Sequence, residues 1–145
     1  MYETILTPVD GSDEAFKAAK HAVDLAANHG ATLHVLYVIE SKPAYTGVGL
    51  SGLQDETVME EYKKFAEEQV ARVAAFAEEN DVECVTDIKT GVPHSKIVEY
   101  AETNGVDAIA MGAHGYDWDG IADKILGSTT ERVNRNATVP VITVR

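Results

Sequence analysis

Short apolar runs alternate with longer amphipathic stretches along the whole chain. The runs Thr4–Val9, Leu33–Ile39 and Ala108–Met111 have the length and apolar content of buried strands, while the stretches between them repeat apolar residues every three or four positions, as helices do. This alternation is typical of βαβ units rather than of a sandwich or a helical bundle. The chain is therefore predicted to form one α/β domain over residues 1–145, an open five-stranded parallel sheet with helices on both faces.

Cap residues mark where the predicted helices begin and end. Ser12 is a good N-cap for the first helix, and Gly30 is placed to end it. Thr57 and Glu60 form a capping box that opens the second helix. The predicted helices span 12–30, 57–80, 94–104 and 128–136, and the further strands span 82–89 and 139–144.

Three features of these segments bear on the architecture. The second helix repeats apolar residues at intervals of three and four through Val58, Tyr62 and Phe65, the pattern of a buried face. The strand at 82–89 alternates apolar and polar residues, which predicts one wetter face and a place at the sheet edge. Glu40–Gln54 carries three Gly, two Ser and one Pro and is predicted to be a long loop that is functional or mobile.

The charge balance and the single cysteine limit the classes of partner. The chain has 24 acidic and 12 basic residues and a net charge of −12, which repels polyanions, so nucleic acid is not an expected partner. The acidic excess fits adaptation to high salt as well as an ordinary acidic surface. Cys84 alone cannot form an intrachain disulfide, and no run approaches the roughly 20 apolar residues of a membrane span. We therefore expect a cytoplasmic protein without a membrane partner.

Two glycine-bearing segments lie next to predicted elements. Parallel sheets bind ligands near such segments, at the carboxyl ends of their strands. Gly112–Gly115 follows a strand, and Gly127 with Ser128 precedes a helix. Glycines let backbone N–H groups approach an anion, and a helix N-terminus adds donors and partial positive charge. The turn alone also fits a structural role, with Ser128 as a helix cap. His114 lies in the turn, where contact with phosphate and a structural role both stay open.

Other candidate chemistry is sparse. Asp10, at the end of the first strand, can accept hydrogen bonds from a ribose or an adenine amino group, although on spacing alone a cap is favoured. The histidines show no zinc-like spacing, and the acidic residues after 116 do not fit a calcium loop, so no protein metal site is predicted. No catalytic triad or Walker lysine is evident, so no catalytic residue is predicted.

Together these segments resemble the universal stress protein family. The resemblance covers nearly the whole chain and is carried by Ile5–Ser12, Tyr37–Ile39, Gly91–Pro93, Asp107–Gly112 and Val139–Val144. It implies a Rossmann-like sheet with strand order 3-2-1-4-5 and a regulatory or sensing protein that binds ATP or AMP. Mg²⁺, bridged by the phosphates, is a candidate cofactor on grounds of charge, because acidic residues are expected beside the phosphates. The resemblance also implies a homodimer through the edge strand Val139–Val144; the alternative is a buried strand in a monomer.

The resemblance further implies which residues bind the nucleotide. Phosphates would be held by the glycines and Ser128, and adenosine by Asp10 and the backbone of Val38, in a pocket lined by Pro8 and Val9. The implied set is Pro8, Val9, Asp10, Val38, Met111, Gly112, His114, Gly115, Gly127, Ser128 and Thr129.

The gap between the two glycine pairs departs from the family pattern. Nucleotide-binding members have nine residues there, whereas Tyr116–Leu126 supplies eleven and includes Asp117, Asp119 and Asp123. Carboxylates near phosphate repel it unless a cation intervenes. Two alternatives therefore stay open: a member that binds no nucleotide and acts through contacts with an unknown protein partner, and a weak Mg²⁺-dependent ATPase that uses Asp10.

Overall fold

A computed structural model of the chain describes residues 1–41, 56–115 and 126–145. The elements in chain order are β1 (Thr4–Val9), α1 (Asp13–His29), β2 (Thr32–Glu40), α2 (Glu56–Glu79), β3 (Cys84–Gly91), α3 (Pro93–Thr103), β4 (Ala108–Gly112), α4 (Ser128–Asn136) and β5 (Val141–Val144). Most of the predicted loop Glu40–Gln54, and the gap Tyr116–Leu126 except for its last residue, lie outside the described residues.

The five strands form one parallel sheet in the order β3-β2-β1-β4-β5, which confirms the predicted architecture and strand order. β1 is the central strand, since it pairs with both β2 and β4. Its residues from Ile5 to Val9 are buried. The chain builds outward from β1 to β3 and then crosses back to β4. The order therefore reverses between β1 and β4, and the carboxyl ends of these strands flank a crevice that can hold a ligand.

Two apolar clusters pack on opposite faces of the sheet. Ile5 and Val9 of β1 lie in a cluster with α1 and α2, whereas Leu6 lies in the other cluster with α3 and α4. α1 approaches closely because its buried positions are mostly alanine: Ala15, Ala18, Ala19, Ala22 and Ala26. Helices thus cover both faces, as the alternation of elements predicts. No helix among the described residues is both long and apolar enough to cross a membrane.

The caps predicted for α1 are confirmed, and the capping box of α2 is wrong. The Ser12 hydroxyl accepts a hydrogen bond from the Ala15 N–H at 3.1 Å, and Gly30 ends the helix with φ 64°. α2 begins at Glu56, so Thr57 lies inside the first turn. An N-cap residue needs a non-helical backbone, so Thr57 cannot be the cap.

The strand ends differ from the predictions for local reasons. β5 begins at Val141 rather than residue 139, because Pro140 has no N–H to donate and joins the ladder only through its carbonyl, which accepts from Ile109 at 2.9 Å. β4 extends one residue further than predicted and includes Gly112. β3 is an edge strand as predicted, but it spans Cys84–Gly91 rather than residues 82–89.

Thr7, in the middle of β1, provides a test of the core. Its side chain is fully buried, and its hydroxyl has no hydrogen-bond partner within the described residues. We expect Thr7→Val to raise the free energy of unfolding by about 1 kcal/mol, since the substitution removes a buried hydroxyl that lost its water without a replacement. Urea unfolding at fixed protein concentration would measure this.

A matched variant is available in α4, which packs on the same sheet. Thr130 is also buried, but its hydroxyl donates to the Gly112 carbonyl at 2.8 Å. Thr130→Val should therefore lower the free energy of unfolding by about 1 kcal/mol. A loss of stability in Thr7→Val equal to that in Thr130→Val would contradict the prediction.

Candidate functional site

A cleft of about 1120 Å³ opens at the carboxyl ends of β1, β2 and β4. Strand ends form its floor, the first turns of α2 form one wall, and the start of α4 forms another. Every residue of the implied nucleotide-binding set lines this cleft: Pro8, Val9, Asp10, Val38, Met111, Gly112, His114, Gly115, Gly127, Ser128 and Thr129. The structure brings these residues together, and what they bind stays a prediction.

Two glycines stand where a neighbouring backbone approaches so closely that it would have to shift to admit a Cβ. A Cβ on Gly112 would lie 3.1 Å from the backbone of Glu14 and Ala15 in the first turn of α1. A Cβ on Gly127 would lie 3.3 Å from the Cα of His114. Gly127 also donates its N–H to the Ala113 carbonyl at 2.8 Å. The turn at 112–115 is therefore packed between the starts of α1 and α4.

The N-terminus of α4 lies at the cleft without a side-chain cap. Its cap position is Gly127, so the alternative role of Ser128 as the cap is wrong. Ser128 and Thr129, the first two residues of α4, line the cleft. First-turn N–H groups have no partner within their own helix, and the helix dipole makes this end partly positive. The start of α4 can therefore receive an anion.

Asp10 lines the cleft and lies between the β1–α1 turn and the glycine turn. Its Oδ1 accepts a hydrogen bond from the Ser12 N–H at 2.9 Å, which is the local structural role that its spacing predicts. Its Oδ2 lies beside Gly115, 3.0 Å from where a Cβ on that residue would be. The carboxylate thus sits between the β1–α1 turn and the glycine turn.

The charged residues that line the cleft are acidic. They are Asp10, Glu40 and Glu61, and no Lys or Arg is among the described lining residues. His114 lines the cleft too, and its Nδ1 lies 2.9 Å from the carboxylate of Glu14. A polyphosphate placed here would therefore depend on backbone N–H groups, hydroxyls and an added cation.

The α2 wall was not predicted as part of the site. Tyr62 and Phe65 line the cleft and are 48% and 37% exposed, whereas Val70 and Val73 further along the same helix are buried. Phe65 packs edge-to-face on Tyr37 at 6.1 Å. Gly11 makes room for it, since a Cβ there would lie 2.6 Å from the ring. The apolar stripe of α2 predicts a buried face. The length of this stripe was the signal in the sequence that the helix extends beyond the sheet and reaches the cleft.

A second polar cluster lies away from the cleft, between β2, β3 and α3. His34 Nδ1 and the Tyr100 hydroxyl are 2.6 Å apart. Burial lowers the pKa of His34, an effect that Asp87 opposes, and burial together with the Asp87 charge raises the pKa of Tyr100. Within the part of the chain that the structure describes, no three His, Cys, Asp or Glu side chains form a group that could hold a metal ion.

Comparison with known proteins identifies the family. The model of the Universal stress protein family matches residues 1–145. The chain is 37% identical to universal stress protein MJ0531 of Methanocaldococcus jannaschii, covering 100% of this chain and 83% of the relative. The solved structure of MJ0577 from the same organism has a TM-score of 0.82 at 29% identity, covering 99% of this chain and 96% of that one.

Two further solved structures share the fold. A universal stress protein in complex with cAMP has a TM-score of 0.75 at 20% identity, covering 99% of this chain and 97% of that one. One from Archaeoglobus fulgidus in complex with dAMP has a TM-score of 0.71 at 19% identity, covering 100% and 98%. With the family match over its full length, this chain belongs to the universal stress protein family.

Proposed function

We propose that this protein binds an adenine nucleotide, ATP or AMP, in the cleft and works as a small regulatory or sensing protein. The observation that carries the proposal is the meeting of the glycine turn at 112–115 with the side-chain-free cap of α4, at the carboxyl ends of the central strands. Backbone donors and a helix N-terminus around an open space are the chemistry that holds phosphate. The cAMP and dAMP complexes of the same fold support adenine nucleotides as the ligand class.

The two ends of the cleft suit the two ends of a nucleotide. We assign the phosphates to the end lined by Gly115, Gly127 and Ser128, where the glycine turn meets the start of α4. The adenosine belongs at the apolar strand ends of Val9 and Val38. Asp10 lies between the two parts of the cleft, since its Oδ2 is beside Gly115. An apolar slot with a few placed polar groups is the usual form of such a site.

Mg²⁺ would enter with the phosphates. Because the Asp and Glu residues Asp10, Glu40 and Glu61 line the described part of the cleft and no Lys or Arg does, a polyphosphate brought in alone would meet repulsion. Mg²⁺ commonly binds through substrate phosphates and one or two carboxylates rather than in an all-protein cage. We therefore propose Mg·ATP rather than free ATP as the tighter ligand.

Isothermal titration with Mg·ATP, free ATP, AMP and adenosine tests this function. We expect micromolar binding of Mg·ATP that is stronger than that of free ATP. No binding by a protein shown to be folded by circular dichroism would refute the proposal and favour a role through protein contacts alone.

The cytoplasmic location and the single domain stay predictions.

We also propose that β5 forms a homodimer interface. β5 is an outer strand of the sheet that pairs with β4, and Ile142 on it is 36% exposed. An apolar edge strand is suited to pairing with a second copy. Light scattering should give about twice 15.6 kDa for the wild type and about 15.6 kDa for Ile142→Asp.

The other edge of the sheet supplies the control for this prediction. Val85 on β3 is 40% exposed, so Val85→Asp makes the same kind of change on the opposite edge and should leave the dimer mass unchanged. A wild-type mass of one chain, or equal dissociation by both variants, would contradict an interface at β5.

A further inference from the structure

We propose that Glu14 is a positioning residue of the cleft. Its carboxylate holds the imidazole of His114, and through it the glycine turn, in the shape that receives the phosphates. The identity of the ligand rests on the proposed function, whereas the hold on the turn rests on geometry alone.

The contact between these two side chains is close, and its histidine side is buried. Nδ1 of His114 lies 3.0 and 2.9 Å from the two carboxylate oxygens of Glu14, although the residues are 100 positions apart. The side chain of His114 is only 4% exposed, and that of Glu14 is 30% exposed. A hydrogen bond to a carboxylate is stronger than one between neutral groups, and it is stronger still when water is excluded.

The carboxylate also fixes which ring nitrogen carries the proton. An ionised carboxylate accepts hydrogen bonds and has none to donate, so Nδ1 of His114 must be the donor. This selects one tautomer and one ring orientation in the neutral imidazole. Glu14 therefore acts on the side chain of a cleft residue without itself being among the lining residues.

Glu14 controls the turn at two points. Its backbone lies directly under Gly112, where a Cβ would be 3.1 Å from the Glu14 carbonyl carbon, and its side chain holds His114 two residues later. The Cα of His114 in turn packs against Gly127, the cap of α4. The first turn of α1 thereby sets the spacing between the two groups of donors that we assign to phosphate.

Three variants separate positioning from charge. Glu14→Ala removes the acceptor, while Glu14→Gln removes the charge but keeps a side-chain oxygen that can accept from Nδ1. Asp13→Ala is the matched control, since Asp13 is an exposed acidic residue in the same helical turn, and its carboxylate makes no hydrogen bond or ion pair with the described residues. The charge change is thus the same in Glu14→Gln and Asp13→Ala.

Two measurements on the nucleotide-free proteins decide whether Glu14 holds the turn. Nitrogen-15 NMR of His114 should show a proton on Nδ1 in the wild type, in Asp13→Ala and in Glu14→Gln, and a loss of this preference in Glu14→Ala. Hydrogen exchange of the amides at 113–115 should be about tenfold faster in Glu14→Ala alone, as expected from losing one hydrogen bond of this kind.

Titrations with Mg·ATP and with adenosine test whether the contact between Glu14 and His114 affects nucleotide binding. We expect Glu14→Ala to bind Mg·ATP about tenfold more weakly with little change for adenosine, and Glu14→Gln to recover most of the loss. A tautomer, exchange rates and affinity in Glu14→Ala that match those of Asp13→Ala would overturn the proposal. So would equal losses for adenosine and Mg·ATP together with a lower melting temperature. A wild type that binds no nucleotide refutes the proposed function, and the NMR and exchange data still decide whether Glu14 positions the turn.

Discussion

Replacing Gly115 by valine should weaken Mg·ATP binding by about 100-fold or more, equivalent to about 2.7 kcal/mol, while the protein stays folded. A Cβ at this position would lie 3.0 Å from Oδ2 of Asp10, and valine adds two methyl groups beyond it. Asp10 cannot easily move away, because its Oδ1 holds the Ser12 N–H at 2.9 Å. The methyl groups would then occupy the space that we assign to phosphate. Isothermal titration of the variant beside the wild type measures the effect.

Gly105→Val is the control for this prediction. Gly105 has φ 61°, a Cβ added to it would meet no described atom within 4 Å, and it lies between α3 and β4, away from the cleft. A β-branched residue in the left-handed region costs stability but should leave the affinity unchanged. Wild-type affinity in Gly115→Val would show that the phosphates are not held at this turn.

The fold was predictable because its determinants are local. Ser12 caps α1 through a hydrogen bond from Ala15, three residues away, and Gly30 ends the helix by its own backbone conformation. The buried run of β1 identifies a central strand, since apolar residues on both of its faces need covering layers. Predictions were wrong where the adjacent strand determines the end of an element. Pro140 shortens β5 because a residue at that position would have to donate an N–H to β4, and proline has none.

The site was predictable only where its residues stand in short motifs. Glycines beside a strand end and a helix start indicate anion binding from the sequence alone. The pairing of Glu14 with His114 joins residues 100 positions apart, and no spacing rule reports it. Likewise, Tyr62 has the periodicity of a core residue, and only the end of the sheet beneath α2 makes it part of the cleft. Periodicity gives the direction of a side chain but not what lies opposite it.

The first glycine of the same turn should behave differently from Gly115, because it faces helix backbone rather than a side-chain oxygen. A Cβ on Gly112 would lie 3.1 to 3.2 Å from Ala15 N and from the carbonyl carbon and oxygen of Glu14. These atoms belong to the first turn of α1, which its alanines seat closely on the sheet, so relief requires moving the helix. We expect Gly112→Val to lower the free energy of unfolding by about 3 kcal/mol, the upper range for overpacking a tight core.

Urea unfolding at one protein concentration checks this result, with Gly115→Val as the comparison. Gly115→Val should unfold closer to the wild-type midpoint than Gly112→Val, because its Cβ meets one side-chain oxygen at the cleft rather than several atoms of a helix backbone. Gly112→Val with wild-type stability would mean that α1 can shift away from β4 at little cost. In that case the packing of α1 against the sheet could not fix the glycine turn. The hydrogen bond between Glu14 and His114 would then be the main constraint on the shape of the turn.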